Sequence, residues 1–189
     1  MKVYLAGPDV FLPNATEMGE AKKRLCARHG LEGVFPADPR PEEVEPGVPL
    51  WYAIYRRNEA HMRACDALVA NLTPFRGPSA DPGTVYELGF MRALGRPVLG
   101  YTNDAADFTT RTLGLVPAPA ARNAAGRWLD GQGMALENHG LADNLMIEGG
   151  IRAANGLLVR RDVPEAERWS DLAAFEDCLQ ALAASLRRG

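Results

Sequence analysis

Short apolar runs alternate along the chain with longer stretches in which apolar residues recur every three or four positions. That alternation predicts strands interleaved with amphipathic helices. Val3 to Ala6 reads as the first strand. Ala15 to His29 places Met18, Ala21 and Leu25 on one helical face, and Gly30 supplies the left-handed residue that commonly ends a helix. Leu31 to Phe35 follows as a strand, and Pro36 to Pro49, rich in proline and acid, as a loop. A helix from Trp51 to Ala64 then leads into the apolar strand Ala67 to Leu72. The next helix begins near Pro82 to Thr84, carries Tyr86, Glu87, Phe90 and Met91, and closes at Gly95 before the strand Pro97 to Tyr101. Thr102 to Gly140 has weak periodicity, with a short hairpin or turn around Trp128-Leu129-Asp130-Gly131. Leu141 to Ala154 is helical, and Leu172, Phe175, Leu179 and Leu182 mark the stripe of a last helix.

Strands separated by helices predict an α/β fold: a doubly wound, flavodoxin-like or Rossmann-like, mainly parallel five-stranded sheet flanked by helices. The length of 189 residues suits one domain spanning 1–189. In such a sheet, ligands bind beyond the carboxyl ends of the strands.

Composition narrows the function. The net charge is −3, too negative for a grip on a nucleic-acid backbone, which needs a concentrated basic face. A small ligand fits better. No apolar run approaches the ~20 residues of a membrane span, and the first residues carry no secretion signal, so a cytoplasmic location without membrane contact is expected. Cys26, Cys65 and Cys178 are scattered in apolar contexts and read as reduced packing residues. His29, His61 and His139 have no metal-ligand spacing, so no metal is expected. The absence of a phosphate-binding glycine loop, of a well-placed G-x-G-x-x-G and of a G-x-S-x-G turn removes the usual support for nucleotide triphosphate, dinucleotide and serine-hydrolase chemistry.

Three carboxylates stand where chemistry is expected: Asp66 just before a strand, Asp81 in the loop after it, and Glu87 in the first turns of the following helix. Two carboxylates in unlike surroundings can divide the work of displacement at a sugar carbon, one attacking and one protonating the leaving group. Taken singly, Asp81 is an ordinary helix cap and Glu87 an ordinary solvated helix residue. After the first strand, Gly7-Pro8-Asp9-Val10-Phe11 offers a glycine where backbone must approach something closely, and an aromatic that either covers a ligand or joins the core.

Tyr4-Leu5-Ala6-Gly7-Pro8-Asp9-Val10-Phe11, Cys65-Asp66-Ala67-Leu68-Val69-Ala70-Asn71-Leu72, Asp81-Pro82-Gly83-Thr84-Val85-Tyr86-Glu87-Leu88-Gly89-Phe90 and Asp143-Asn144-Leu145-Met146 together resemble the nucleoside 2-deoxyribosyltransferase family. The D-x-G-x-x-x-E-L-G block is the most specific of them. The resemblance implies that Glu87 is the nucleophile, oriented by Tyr4, and that Asp66 and Asp81 lie near the base, one or both holding it and supplying its proton. It also implies that Gly7, Asp9 and Phe11 bind substrate, while Asn144 and Met146 complete the site of a neighbouring subunit in a homo-oligomer. The loop Pro36 to Pro49 and the stretch Arg127 to His139 depart from compact members of the family.

The reaction so implied transfers 2-deoxyribose between nucleobases with net retention, through a covalent deoxyribosyl-glutamate and without a cofactor, as in nucleotide salvage. Its partners are 2′-deoxynucleosides and free nucleobases. One rival is a 2′-deoxynucleoside 5′-monophosphate N-glycosidase, which passes the sugar to water. Another is a nucleoside-binding module without catalysis.

Overall fold

The computed structural model describes residues 1–38 and 47–186. Positions 39–46, the greater part of the loop expected from Pro36 to Pro49, lie outside the described residues.

The first strand, β1 (Lys2–Ala6), runs into a 3-10 turn at Pro8–Phe11 and then α1 (Ala15–Arg28). β2 (Glu32–Val34), α2 (Leu50–Ala64), β3 (Ala67–Asn71), α3 (Pro82–Ala93) and β4 (Val98–Thr102) follow. The region of weak periodicity contains α4 (Phe108–Leu113) and the hairpin of β5 (Ala121–Arg122) and β6 (Trp128–Leu129). The chain closes with α5 (Leu145–Ala153), β7 (Leu158–Arg160), a 3-10 turn at Glu165–Glu167 and α6 (Ala173–Leu186).

Strand order is β2-β1-β3-β4-β7, and every pairing in this five-stranded sheet is parallel. That is the flavodoxin-like order, with a switch point where β1 lies between β2 and β3. Side chains alternate between two cores, as the pleat requires. Val3, Leu5, Ala67, Val69, Leu99 and Tyr101 face the side that carries Cys26 of α1 and Phe175, Leu179 and Leu182 of α6. Tyr4, Ala6, Leu68, Ala70 and Val98 face the side of Met62, Leu88, Met91 and Ile151, which come from α2, α3 and α5. The parity of Tyr4 in β1 therefore sends its ring toward α3. Cys26, Cys65 and Cys178 are buried and take part in no disulfide, in keeping with packing roles.

Beyond shifts of a single residue, one helix start and one strand differ from the periodicity. The helix expected from Leu141 starts at Leu145, because Asn144 caps it by accepting the Met146 N–H at 3.0 Å. The edge strand β7 is only three residues long and half-buried, too short to show alternation in the sequence.

Candidate active site

At the carboxyl ends of β1 and β2, a cavity of about 330 Å³ opens between the Gly7–Phe11 turn, Pro36 and Ala37, α2 and the start of α3. Gly7, Phe11, Ile54, Arg57, Asn58, Asp81 and Glu87 stand in its wall. Its central contact is a hydrogen bond of 2.6 Å from the Tyr4 hydroxyl to Glu87 Oε1.

The pair is built by the elements beneath it. Tyr4 is fully buried in the sheet and can present only its hydroxyl. Asp81 starts α3 by accepting the Thr84 N–H at 3.0 Å and the Thr84 hydroxyl at 3.2 Å, with Pro82 in the first turn. Glu87 follows two turns in, on the face turned toward β1. Removal from water pushes the Glu87 carboxyl up to about 7; the Tyr4 hydrogen bond opposes that rise and the negative charge of Asp81 adds to it. Burial, reinforced by the Glu87 charge, drives the Tyr4 phenol far above its ordinary value, so it remains a donor.

Phe11 lines the cavity and is 54% exposed, so it is not a core residue. It stacks on Phe75, with ring centres 5.4 Å apart, and the Arg76 guanidinium lies over both rings. Gly7 is required by crowding: a Cβ there would come within 2.8 Å of Asn71 Cβ.

Two residues expected at the site lie elsewhere. Asp66 accepts the Lys2 backbone N–H at 2.8 Å and donates its own N–H to the Lys2 carbonyl at 2.8 Å, at the amino ends of β1 and β3. The length of a five-residue strand, roughly 15 Å at about 3.3 Å per residue, separates it from the cavity. Asp9 is 1% exposed and turned inward, ion-paired with Lys22 Nζ at 2.7 Å and accepting from Asn71 Nδ2. Lys22 in turn lies over the rings of Tyr101 and Phe175. Asp9 therefore anchors the turn that carries Phe11, with its carboxylate consumed by that task.

Asn144 and Met146 line a different groove, about 860 Å³, between α3 and α5. Asn144 Nδ2 donates to Glu137 Oε1 at 2.6 Å, and the other oxygen of Glu137 accepts the Leu145 N–H at 3.0 Å, so the stretch before α5 is braced by a residue that sequence reasoning missed. Met146 is 74% exposed. Arg57 and Asn58 were also missed; Ile54 and Asn58, four apart on α2, share the face that meets the cavity.

The family described as nucleoside 2-deoxyribosyltransferase matches residues 3–146. The chain belongs to that family. A curated relative, an uncharacterized protein of Schizosaccharomyces pombe, is 34% identical over 97% of this chain and 89% of its own length. A solved 2-desoxiribosyltransferase from Leishmania mexicana is 28% identical, covers 95% of this chain and 97% of its own, and superposes with a TM-score of 0.62. A conserved protein of Enterococcus faecalis, 19% identical with a TM-score of 0.56 over 96% of this chain and 98% of its own, shares the fold. Membership makes the protein a deoxyribosyltransferase-type enzyme and implies nucleosides and nucleobases as its small-molecule substrates. No helix among the described residues is long and apolar enough to cross a membrane.

Proposed function

We propose that the protein transfers 2-deoxyribose from a 2′-deoxynucleoside to a second nucleobase, with Glu87 as the nucleophile. The observation that carries this reading is the 2.6 Å bond from Tyr4 to Glu87 Oε1 in the wall of the cavity. That bond fixes the carboxylate and leaves Oε2 for attack on C1′. The C1′–N bond breaks as the C1′–O bond to Glu87 forms, and the electron pair leaves on the base nitrogen. A second base then attacks C1′ from the opposite face and returns the carboxylate, so two inversions give retention.

Of the two aspartates expected at the base, Asp81 remains in the cavity and is the carboxyl placed to exchange a proton there. Glu87 must be ionised to attack. Burial raises its proton affinity, and positive charge developing on the sugar lowers it as the bond forms. Phe11 covers the bound nucleoside.

The protein works as a homo-oligomer in which the start of a neighbour's α5, with Asn144 and Met146, completes the cavity. This rests on the exposure of Met146 and on the aromatic row of Trp51, Tyr52, Tyr55, Tyr86 and Phe90, whose successive ring centres lie 5.5 to 6.4 Å apart across α2 and α3. Trp51 is 71% exposed, an apolar surface that a second copy would cover. The test is incubation with 2′-deoxyinosine, with and without adenine, followed by chromatography. Formation of 2′-deoxyadenosine supports transfer; free deoxyribose at the same rate with and without adenine makes the protein a hydrolase instead.

A further inference from the structure

Two neighbouring side chains of α2 bring unused hydrogen-bonding atoms to the cavity. Arg57 Nε and Asn58 Oδ1 are each buried and without a hydrogen-bond partner among the described residues, and both residues stand in the wall that also holds Glu87. Buried polar atoms are nearly always paired, so a pair of orphans in a cavity wall marks a place where a ligand supplies the partners. Arg57 offers donors and no acceptor. Arg57 shares the cavity wall with Glu87, and its positive charge opposes the effect of the Glu87 charge on the Tyr4 phenol. The Asn58 amide can turn either its oxygen or its nitrogen to a ligand, so the polarity of this part of the wall is set by Arg57.

The ligand edge must therefore present an acceptor to Arg57. A phosphate is disfavoured there, because Asp81 and Glu87 face the same cavity and repel an anion. A neutral ring carbonyl satisfies Arg57 without that penalty, and the ring N–H beside it satisfies Asn58 Oδ1. Adenine presents the opposite order at the same edge, an amino donor beside a bare ring nitrogen, and leaves the guanidinium facing a donor.

We propose that Arg57 is a specificity residue that selects nucleobases carrying a ring carbonyl beside an N–H, with hypoxanthine favoured over adenine. This inference rests on the deoxyribosyl-transfer reading. A site built around such a bond discriminates strongly when the acceptor is replaced by a donor, about ten- to a hundredfold for a hydrogen bond to a charged group.

The test compares the wild-type protein with Arg57→Met and Arg57→Lys, using 2′-deoxyinosine, 2′-deoxyadenosine and 2′-deoxyinosine 5′-monophosphate as donors to a common acceptor base. Calorimetric binding of free hypoxanthine and free adenine is measured in parallel. The wild type should prefer 2′-deoxyinosine by about tenfold or more in kcat/KM. Arg57→Met should bring the ratio to within about threefold by losing activity on 2′-deoxyinosine alone, and Arg57→Lys should recover part of it. Equal losses on both nucleosides, or an unchanged ratio, overturn the assignment. So does a loss confined to the monophosphate, which would make Arg57 a phosphate ligand. The binding arm separates the two readings. If no donor is consumed but hypoxanthine binds the wild type and not Arg57→Met, the transfer reading fails and base selection by Arg57 stands; if neither base distinguishes the two proteins, base selection fails whatever the activity.

Discussion

Replacing Glu87 by Gln tests the electrostatics of the site without any substrate. The folded protein holds the Glu87 proton up to about pH 7, whereas an ordinary glutamate releases it near 4.5. Between those values the folded state binds a proton that the unfolded chain has already lost, so the contribution of Glu87 to stability falls as pH rises through that window. At about 1.4 kcal/mol per tenfold in proton affinity, the full gap corresponds to about 3 kcal/mol. Between pH 5 and pH 8 about 2 kcal/mol of it should be expressed, once the partial exposure of the side chain is allowed for. Glutamine keeps an oxygen to accept the Tyr4 hydroxyl and carries no charge, so it removes the pH-dependent part and leaves the packing. Relative to wild type, the Gln variant should therefore gain about 2 kcal/mol on going from pH 5 to pH 8, or about 4–8 °C in melting temperature for a chain of this size. Thermal melts of both proteins at the two pH values provide the measurement. The same difference between the proteins at pH 5 and pH 8 would refute the claim that Glu87 is a desolvated carboxylate.

In the same terms, kcat/KM should rise with pH along a limb centred near 7, where Glu87 ionises in the free protein, and a pH–rate profile reads that limb directly. Tyr4→Phe removes the bond that favours the charged carboxylate, so the limb should move to higher pH by about one unit and turnover should drop. Asp66→Asn, at the far end of the sheet, should leave kcat/KM within about twofold of wild type, and a large loss would place Asp66 back in the chemistry. Asp9→Ala strands Lys22 in the interior and should cost about 3–5 kcal/mol in a denaturant titration.

Much of the architecture was legible because the pleat and the helix write their periods into the sequence. The alternation of Val3 and Leu5 against Tyr4 and Ala6 supplies both cores, and Asp81-Pro82 announces the start of α3. The errors have physical causes. Asp66 was drawn to the site because it adjoins β3 in sequence, yet a residue that precedes a parallel strand sits at the amino end, away from the ligand crevice. Asp9 lies in the right turn, but sequence cannot say which way an acid points, and the cation that claims it, Lys22, comes from an interior position of α1. Arg57 and Asn58 were overlooked because polar residues on a helix ordinarily face solvent. The signal that could have found them is Ile54 at the same helical face as Asn58, directed at the sheet's carboxyl edge. Residues 102–140 were obscure because α4 has six residues and β5 and β6 two each, too short to establish a period.

The most direct test of the central claim is to look for the ester on Glu87. Wild-type protein is mixed with 2′-deoxyinosine in the absence of an acceptor base, quenched in acid, digested and analysed by mass spectrometry. A peptide spanning Glu87 that carries one deoxyribosyl group, lost on adding adenine with formation of 2′-deoxyadenosine and absent from Glu87→Gln, is the result expected. Turnover to 2′-deoxyadenosine with that peptide unmodified throughout, or undiminished in Glu87→Gln, would contradict the assignment of Glu87 as the nucleophile.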